Sequence, residues 1–175
     1  MKINSKSCLI IFSILLSCCY SSLAQNLELR NQPSPTFELL SYSGVEFKLE
    51  DAKDKVIVLD FWSTWCAPCI KAFPAMIEVE KSFSSDNDVI FLYVNSLEVK
   101  GKTSDNVFDF LQKRGLDINF YKDNNDVVSE AFGVTGLPVK IVIDKSGIVR
   151  YMDSGFVGDN QKLITKLTNE IERLK

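Results

Sequence analysis

Three near-continuous apolar runs set the frame of the chain. Val56-Ile57-Val58-Leu59-Asp60-Phe61-Trp62 and Val89-Ile90-Phe91-Leu92-Tyr93-Val94-Asn95 lack the alternation of a half-exposed strand. Such runs suit central strands covered on both faces. A third, Val139 to Asp144, is turned by Lys145-Ser146-Gly147 into Ile148–Met152, an antiparallel hairpin. Helical spacing fills the gaps. Phe73, Met76, Ile77 and Phe83 recur near every 3.6 residues and predict a helix from Ala67 to Phe83. Pro74 lies inside it and should kink it. Ser104 can cap a helix carrying Val107, Phe108 and Leu111, closed by Gly115. Ile118–Tyr121 follows as a short strand, and Asn125 or Asp126 opens a helix over Val127–Phe132. Asp159 caps a last helix with Leu163, Ile164, Leu167, Ile171 and Leu174 on one side. Ahead of all this, Phe37–Leu40 and Val45–Leu49 flank Ser43-Gly44 as a hairpin. The order, a hairpin and then β-α-β-α-β-α-β-β-α, predicts an α/β domain with a parallel centre and antiparallel edges.

The first residues follow a different pattern. Lys2 and Lys6 precede the short apolar run Cys8–Leu16, a charged region and a hydrophobic region as in a secretory signal. The run is shorter than the roughly 20 residues of a membrane span. Two cleavage sites compete. Ser22-Leu23-Ala24 has the small–x–small form and gives a signal peptide over 1–24. Leu15-Leu16-Ser17-Cys18 resembles a bacterial lipobox, with Cys18 as the lipidated residue. A polar linker over 25–35, with Pro33 and Pro35, then leads into one domain over 36–175. The 175 residues, 46% of them hydrophobic, suffice for one core. The two leader lysines are the only charges before Glu28, so without them net charge moves from −3 to −5. No basic stripe supports nucleic-acid binding. The chain has no histidine, which excludes Cys–His nucleophiles and His-ligated metal sites.

Outside the leader, which holds Cys8, Cys18 and Cys19, only Cys66 and Cys69 remain. Two cysteines this close can bridge across one helical turn, and so short a loop adds little stability by chain entropy. A structural zinc site wants four ligands, and no second pair exists to supply them. Trp65-Cys66-Ala67-Pro68-Cys69 sits where a strand passes into a helix. There, unpaired backbone N–H groups and the positive end of the helix dipole favour a thiolate. Pro68 suits the first turn because its missing N–H needs no partner. The chemistry predicted is thiol–disulfide exchange. Asp60, near the end of the first apolar run, should be partly buried and its pKa raised by desolvation. Lys100-Gly101-Lys102 reads as a solvated turn.

Phe61-Trp62-Ser63-Thr64-Trp65-Cys66-Ala67-Pro68-Cys69, the later Gly136-Leu137-Pro138 and the closing hairpin plus helix resemble the thioredoxin superfamily. The leader, Pro74 and the helix–strand insertion at Ser104–Tyr121 narrow the resemblance to TlpA/ResA-like extracytoplasmic proteins, over roughly Pro35 to Lys175. The resemblance implies a central mixed sheet flanked by helices. It makes Cys66 the nucleophile, nearer to solvent, and Cys69 the resolving thiol. It gives Asp60 the task of deprotonating Cys69, and makes Pro138 a cis-proline beside the pair. Trp65, Ala67, Pro68, Leu137 and Pro138 become the substrate contacts, with the Leu137 backbone free for strand addition. Many ResA-like chains carry a glutamate three residues after the second cysteine; here Ala72 stands there. The implied activity is that of an exported protein-disulfide reductase without cofactor or metal. It would be a monomer fed by a membrane thiol donor and attached to the membrane only if lipidated at Cys18. Cytochrome c maturation is one process such relatives serve. Two other readings stand beside it. One is a redoxin-type thiol peroxidase, for which Thr64 is present but the upstream proline is absent. The other is a lipoprotein scaffold without catalysis.

Overall fold

The computed structural model describes residues 29–102 and 106–175. The leader with Cys8, Cys18 and Cys19, both cleavage sites and Ser104 lie outside them. The elements are β1 (Glu38–Ser41), β2 (Glu46–Lys48), β3 (Val56–Trp62), α1 (Ala67–Ser82), β4 (Val89–Asn95), α2 (Val107–Gln112), β5 (Phe120–Lys122), α3 (Val127–Ala131), β6 (Val139–Ile143), β7 (Val149–Ser154) and α4 (Asn160–Leu174). Seven strands form one sheet in the order β2-β1-β5-β4-β3-β6-β7. The β3–β4 and β4–β5 pairs are parallel and the rest antiparallel. This is the mixed sheet that the strand–helix alternation predicts.

β3 is central and buried at every position. Its alternate residues face two separate cores. Val56, Val58 and Trp62 pack with α1, α4 and both cysteines. Ile57, Leu59 and Phe61 pack under β1 and α3 with Phe37, Phe132 and Ile141. Helix α4 lays Leu163, Leu167 and Ile171 into the first core, and Asp159 caps it by accepting from the Lys162 N–H at 2.9 Å.

Several boundaries differ from expectation. Leu49 is not strand but opens a 3₁₀ turn over Leu49–Ala52. Helix α1 runs unbroken through Pro74, which stands on its exposed face, where the carbonyl lacking a helical donor can be hydrated. Helix α2 is capped by Asn106, whose Oδ1 accepts from the Asp109 N–H at 3.2 Å. Strand β5 begins at Phe120 rather than Ile118, because pairing with β4 starts at Tyr93↔Phe120. Helix α3 opens at Asp126, as expected, but neither Asn125 nor Asp126 caps it with a side-chain hydrogen bond. The buried Asp123 carboxylate reaches past both and accepts from the Val128 and Ser129 N–H groups at 2.9 and 2.8 Å. The described part of the segment read as a linker runs along the start of β7. Asn31 N–H donates to Val149 O at 2.7 Å and Ser34 N–H to Gly147 O at 2.8 Å.

The Asp123 contacts carry a consequence for stability. Asp123→Ala should lower the unfolding free energy by about 1–3 kcal/mol, measured by urea denaturation. Asp123→Asn should retain part of it, since one amide oxygen still accepts.

Candidate active site

The dithiol lies where β3 hands over to α1. Trp62 ends the strand, three residues turn the chain, and Cys66 becomes the N-cap with φ −84° and ψ 90°. That extended conformation directs the side chain back over the first turn, where N–H groups lack helical acceptors. Cys66 Sγ accepts from the Cys69 N–H at 3.2 Å, and Pro68 occupies a position that needs no donor. The two sulfurs are joined as a disulfide, with the Cα atoms 5.3 Å apart.

The expectation that Cys66 lies nearer to solvent is not met in this disulfide form. Cys66 is 2% exposed and Cys69 1%. Both cysteines pack in the core beneath α1. The exposed rim is made instead by Trp65, Ala67 and Pro68, three of the expected substrate contacts. Trp65 is 37% exposed, and its indole Nε1 donates to Leu97 O at 2.8 Å. The turn Lys100–Lys102 is exposed as expected, with Lys102 Nζ 6.0 Å from the Trp65 ring.

Leu137 and Pro138 come to the same end of the sheet. The register Phe61↔Val139 sets Pro138 level with Trp62, and Leu137 packs against the core that holds both cysteines. The Leu137–Pro138 peptide is cis, as the resemblance implied. A surface groove of about 330 Å³ runs past Thr135–Val139, Ser154 and Gly155. The Pro138 carbonyl is taken by the Gly155 N–H at 2.8 Å, whereas among the described residues no hydrogen bond engages the Leu137 backbone. An extended chain laid in this groove therefore finds a free donor and acceptor beside the dithiol. A hollow of about 690 Å³ lies elsewhere, between the β1–β2 hairpin and α3.

Asp60 is more deeply buried than expected, at 2% exposed. Alternation along β3 turns it toward the face of Val58 and Trp62, one pleat beneath Trp62. Its partner was not foreseen. Lys140, directly opposite on β6, is 1% exposed and places Nζ 2.9 Å from Asp60 Oδ1. Tyr93 stands opposite on β4 and gives its hydroxyl to Glu80 Oε2 at 2.9 Å. Burial pushes the Asp60 carboxyl above its ordinary value of 3.8, and the ammonium of Lys140 offsets part of that rise. The Tyr93 phenol is also pushed up, by burial and then by the Glu80 carboxylate. Lys140 is the one polar residue of β6. A lone lysine in such a run, with a lone aspartate in another, was the available signal for a buried pair.

Residues 31–152 match the AhpC/TSA family. The chain is 35% identical over 122 residues to the thiol-disulfide oxidoreductase ResA of Geobacillus thermodenitrificans, covering 70% of this chain and 67% of that protein. It is 34% identical over 116 residues to the ResA of Bacillus subtilis, covering 66% of this chain and 62% of that protein. Among solved structures, the exposed lipoprotein thioredoxin of Streptococcus pneumoniae superposes with a TM-score of 0.62 at 29% identity. It covers 78% of this chain and 99% of that one.

The buried pair generates two expectations. Lys140→Met leaves Asp60 without a counter-charge and should cost about 3–5 kcal/mol, much of it recovered in Asp60→Asn/Lys140→Met; denaturation of the wild type and these two variants measures this. Asp60 holds its proton more firmly folded than unfolded. Its contribution to stability is therefore complete below the ordinary value of 3.8 and falls as pH rises through the raised folded value. The stability of the wild type relative to Asp60→Asn should thus decline over that window in denaturation curves.

Proposed function

The chain belongs to the AhpC/TSA family, and on that footing we propose that this thiol-disulfide oxidoreductase works as a protein-disulfide reductase outside the cytoplasm. The observation that carries the reading is the sulfur of Cys66 on the first turn of α1, bonded to Cys69, with the unengaged Leu137 backbone at the same sheet end.

In the reduced form Cys66 is the nucleophile. Its thiolate attacks one sulfur of a client disulfide, a Cys66–client bond forms, and the other client sulfur leaves as a thiolate that takes a proton. Asp60 accepts the proton of Cys69. The Cys69 thiolate then attacks Cys66 Sγ, releases the second client thiol and closes the Cys66–Cys69 bond. Two electrons and two protons from a dithiol donor reset the pair. A carboxyl whose pKa is raised by burial is a stronger proton acceptor than an ordinary one. Trp65, Ala67 and Pro68 form the contact rim, and Leu137 pairs with the client backbone ahead of Pro138.

The leader supports export, and among the described residues no helix is long and apolar enough to cross a membrane. Lipidation at Cys18 would attach the protein to the membrane and cleavage after Ala24 would release it; in either case a membrane thiol donor is the source of electrons. Apocytochrome c is a candidate client. The peroxidase alternative finds less support, since the Thr64 hydroxyl donates to Glu98 Oε2 at 2.9 Å. The scaffold alternative leaves the dithiol without a task.

Insulin-disulfide reduction tests the reading. The wild type should turn over, Cys66→Ser should fall to the uncatalysed rate, and Cys69→Ser should accumulate a client mixed disulfide. Equal rates for wild type and Cys66→Ser would end it. The direction is tested by the reduction potential: a value nearer thioredoxin's, about −270 mV, supports a reductase, and one nearer DsbA's, about −120 mV, reverses it.

A further inference from the structure

Just beyond β4 the chain makes a turn, Ser96–Glu98, that grips the segment leading into Cys66. Ser96 N–H donates to Trp62 O at 2.9 Å, and Trp65 Nε1 donates to Leu97 O at 2.8 Å. The half-buried Glu98 carboxylate takes both polar groups of Thr64, the N–H at Oε1 (2.8 Å) and the hydroxyl at Oε2 (2.9 Å). The buried Asn95 Nδ2 donates to the same Oε1 at 2.7 Å and so orients the carboxylate. Leu97, between these contacts, has φ +54°, in the left-handed region that disfavours a side chain. Its N–H is held by Asp126 Oδ1 at 2.7 Å. A residue remains in such a conformation where its surroundings over-determine it. Here the surroundings are the approach to the dithiol on one side and the start of α3 on the other.

We propose that Glu98 is a positioning residue for the exchange reaction: by clamping Thr64 it fixes the approach to Cys66 and keeps that sulfur over the first turn of α1. The inference rests on Cys66 being the nucleophile. The thiolate is stabilised by the N–H groups of that turn only while the N-cap conformation is held. Release of Thr64 lets Cys66 drift from them, and the thiol pKa rises. The negative charge of Glu98 acts in the opposite sense, since a carboxylate near a thiolate disfavours it. The two effects therefore separate by sign.

The test is the pH profile of alkylation of the reduced protein by iodoacetamide, for wild type, Glu98→Ala, Glu98→Gln and Thr64→Val. Peptide mapping of the alkylated site shows independently whether Cys66 is the reactive sulfur. That separates an error in the assigned nucleophile from a failure of the clamp. Glu98→Ala should raise the Cys66 pKa and slow alkylation at pH 7 by about tenfold. Glu98→Gln keeps an acceptor for the Thr64 N–H and offers a donor to the hydroxyl, so it should stay within about twofold of wild type. Thr64→Val, which loses only the hydroxyl contact, should slow alkylation about threefold. An unchanged or lowered pKa in Glu98→Ala, or Glu98→Gln behaving like Glu98→Ala, overturns the clamp. If Glu98→Ala does not fold, Thr64→Val carries the test, and a wild-type profile there overturns it.

Discussion

A helix must begin with N–H groups that its own carbonyls cannot reach. In α1 one of those groups is met by the sulfur of Cys66, and much of the site follows from that contact. The sulfur can cap the turn because β3 ends three residues earlier and the chain has to reverse direction there. The same donors and dipole that complete the helix also favour a thiolate. Structural need and the proposed reactivity therefore coincide at one atom, next to the exposed side chains of Trp65, Ala67 and Pro68.

That junction depends on a sheet that holds its register. β3 has no solvent-facing side, so a one-residue slip would send each core's side chains into the other. The Asp60–Lys140 pair adds a sharper constraint. Each charge is costly to bury alone, and each is tolerable only opposite its partner. The antiparallel register of β3 with β6 is the one that sets them face to face, and it also brings Pro138 level with Trp62. A polar pair in the core thus aligns the strand that carries the cis-proline with the strand that leads to the dithiol.

The long apolar runs could be read directly. β3 and β4 have the bounds expected of them, because each is a near-continuous apolar run set between polar residues. The N-cap aspartate of α4 was equally legible, since its acceptor lies three residues before its donor. Asp123 was not, because it caps α3 from five residues away, across a 3₁₀ turn. Local rules look for a cap next to the helix, and this one arrives from the end of β5. The cysteines were marked by residue type and spacing, and Trp65 and Pro138 by the resemblance to a known family. Lys140 stood out as a lone lysine in an apolar strand but its partner did not, and Glu98 carried no mark at all, as each acquires its role from a residue more than 30 positions away.

The amino-acid order therefore determined whatever is encoded over short distances: the strand runs, the helix periodicity, the two thiols one turn apart, and the absence of any histidine chemistry. Tertiary structure alone decided which charges meet in the core, how far the sulfurs are covered, and what braces the loop before Cys66. The reason is that burial and pairing belong to residues brought together by sheet register. Two isolated polar positions in separate apolar strands acquire a joint meaning only when the strands lie side by side.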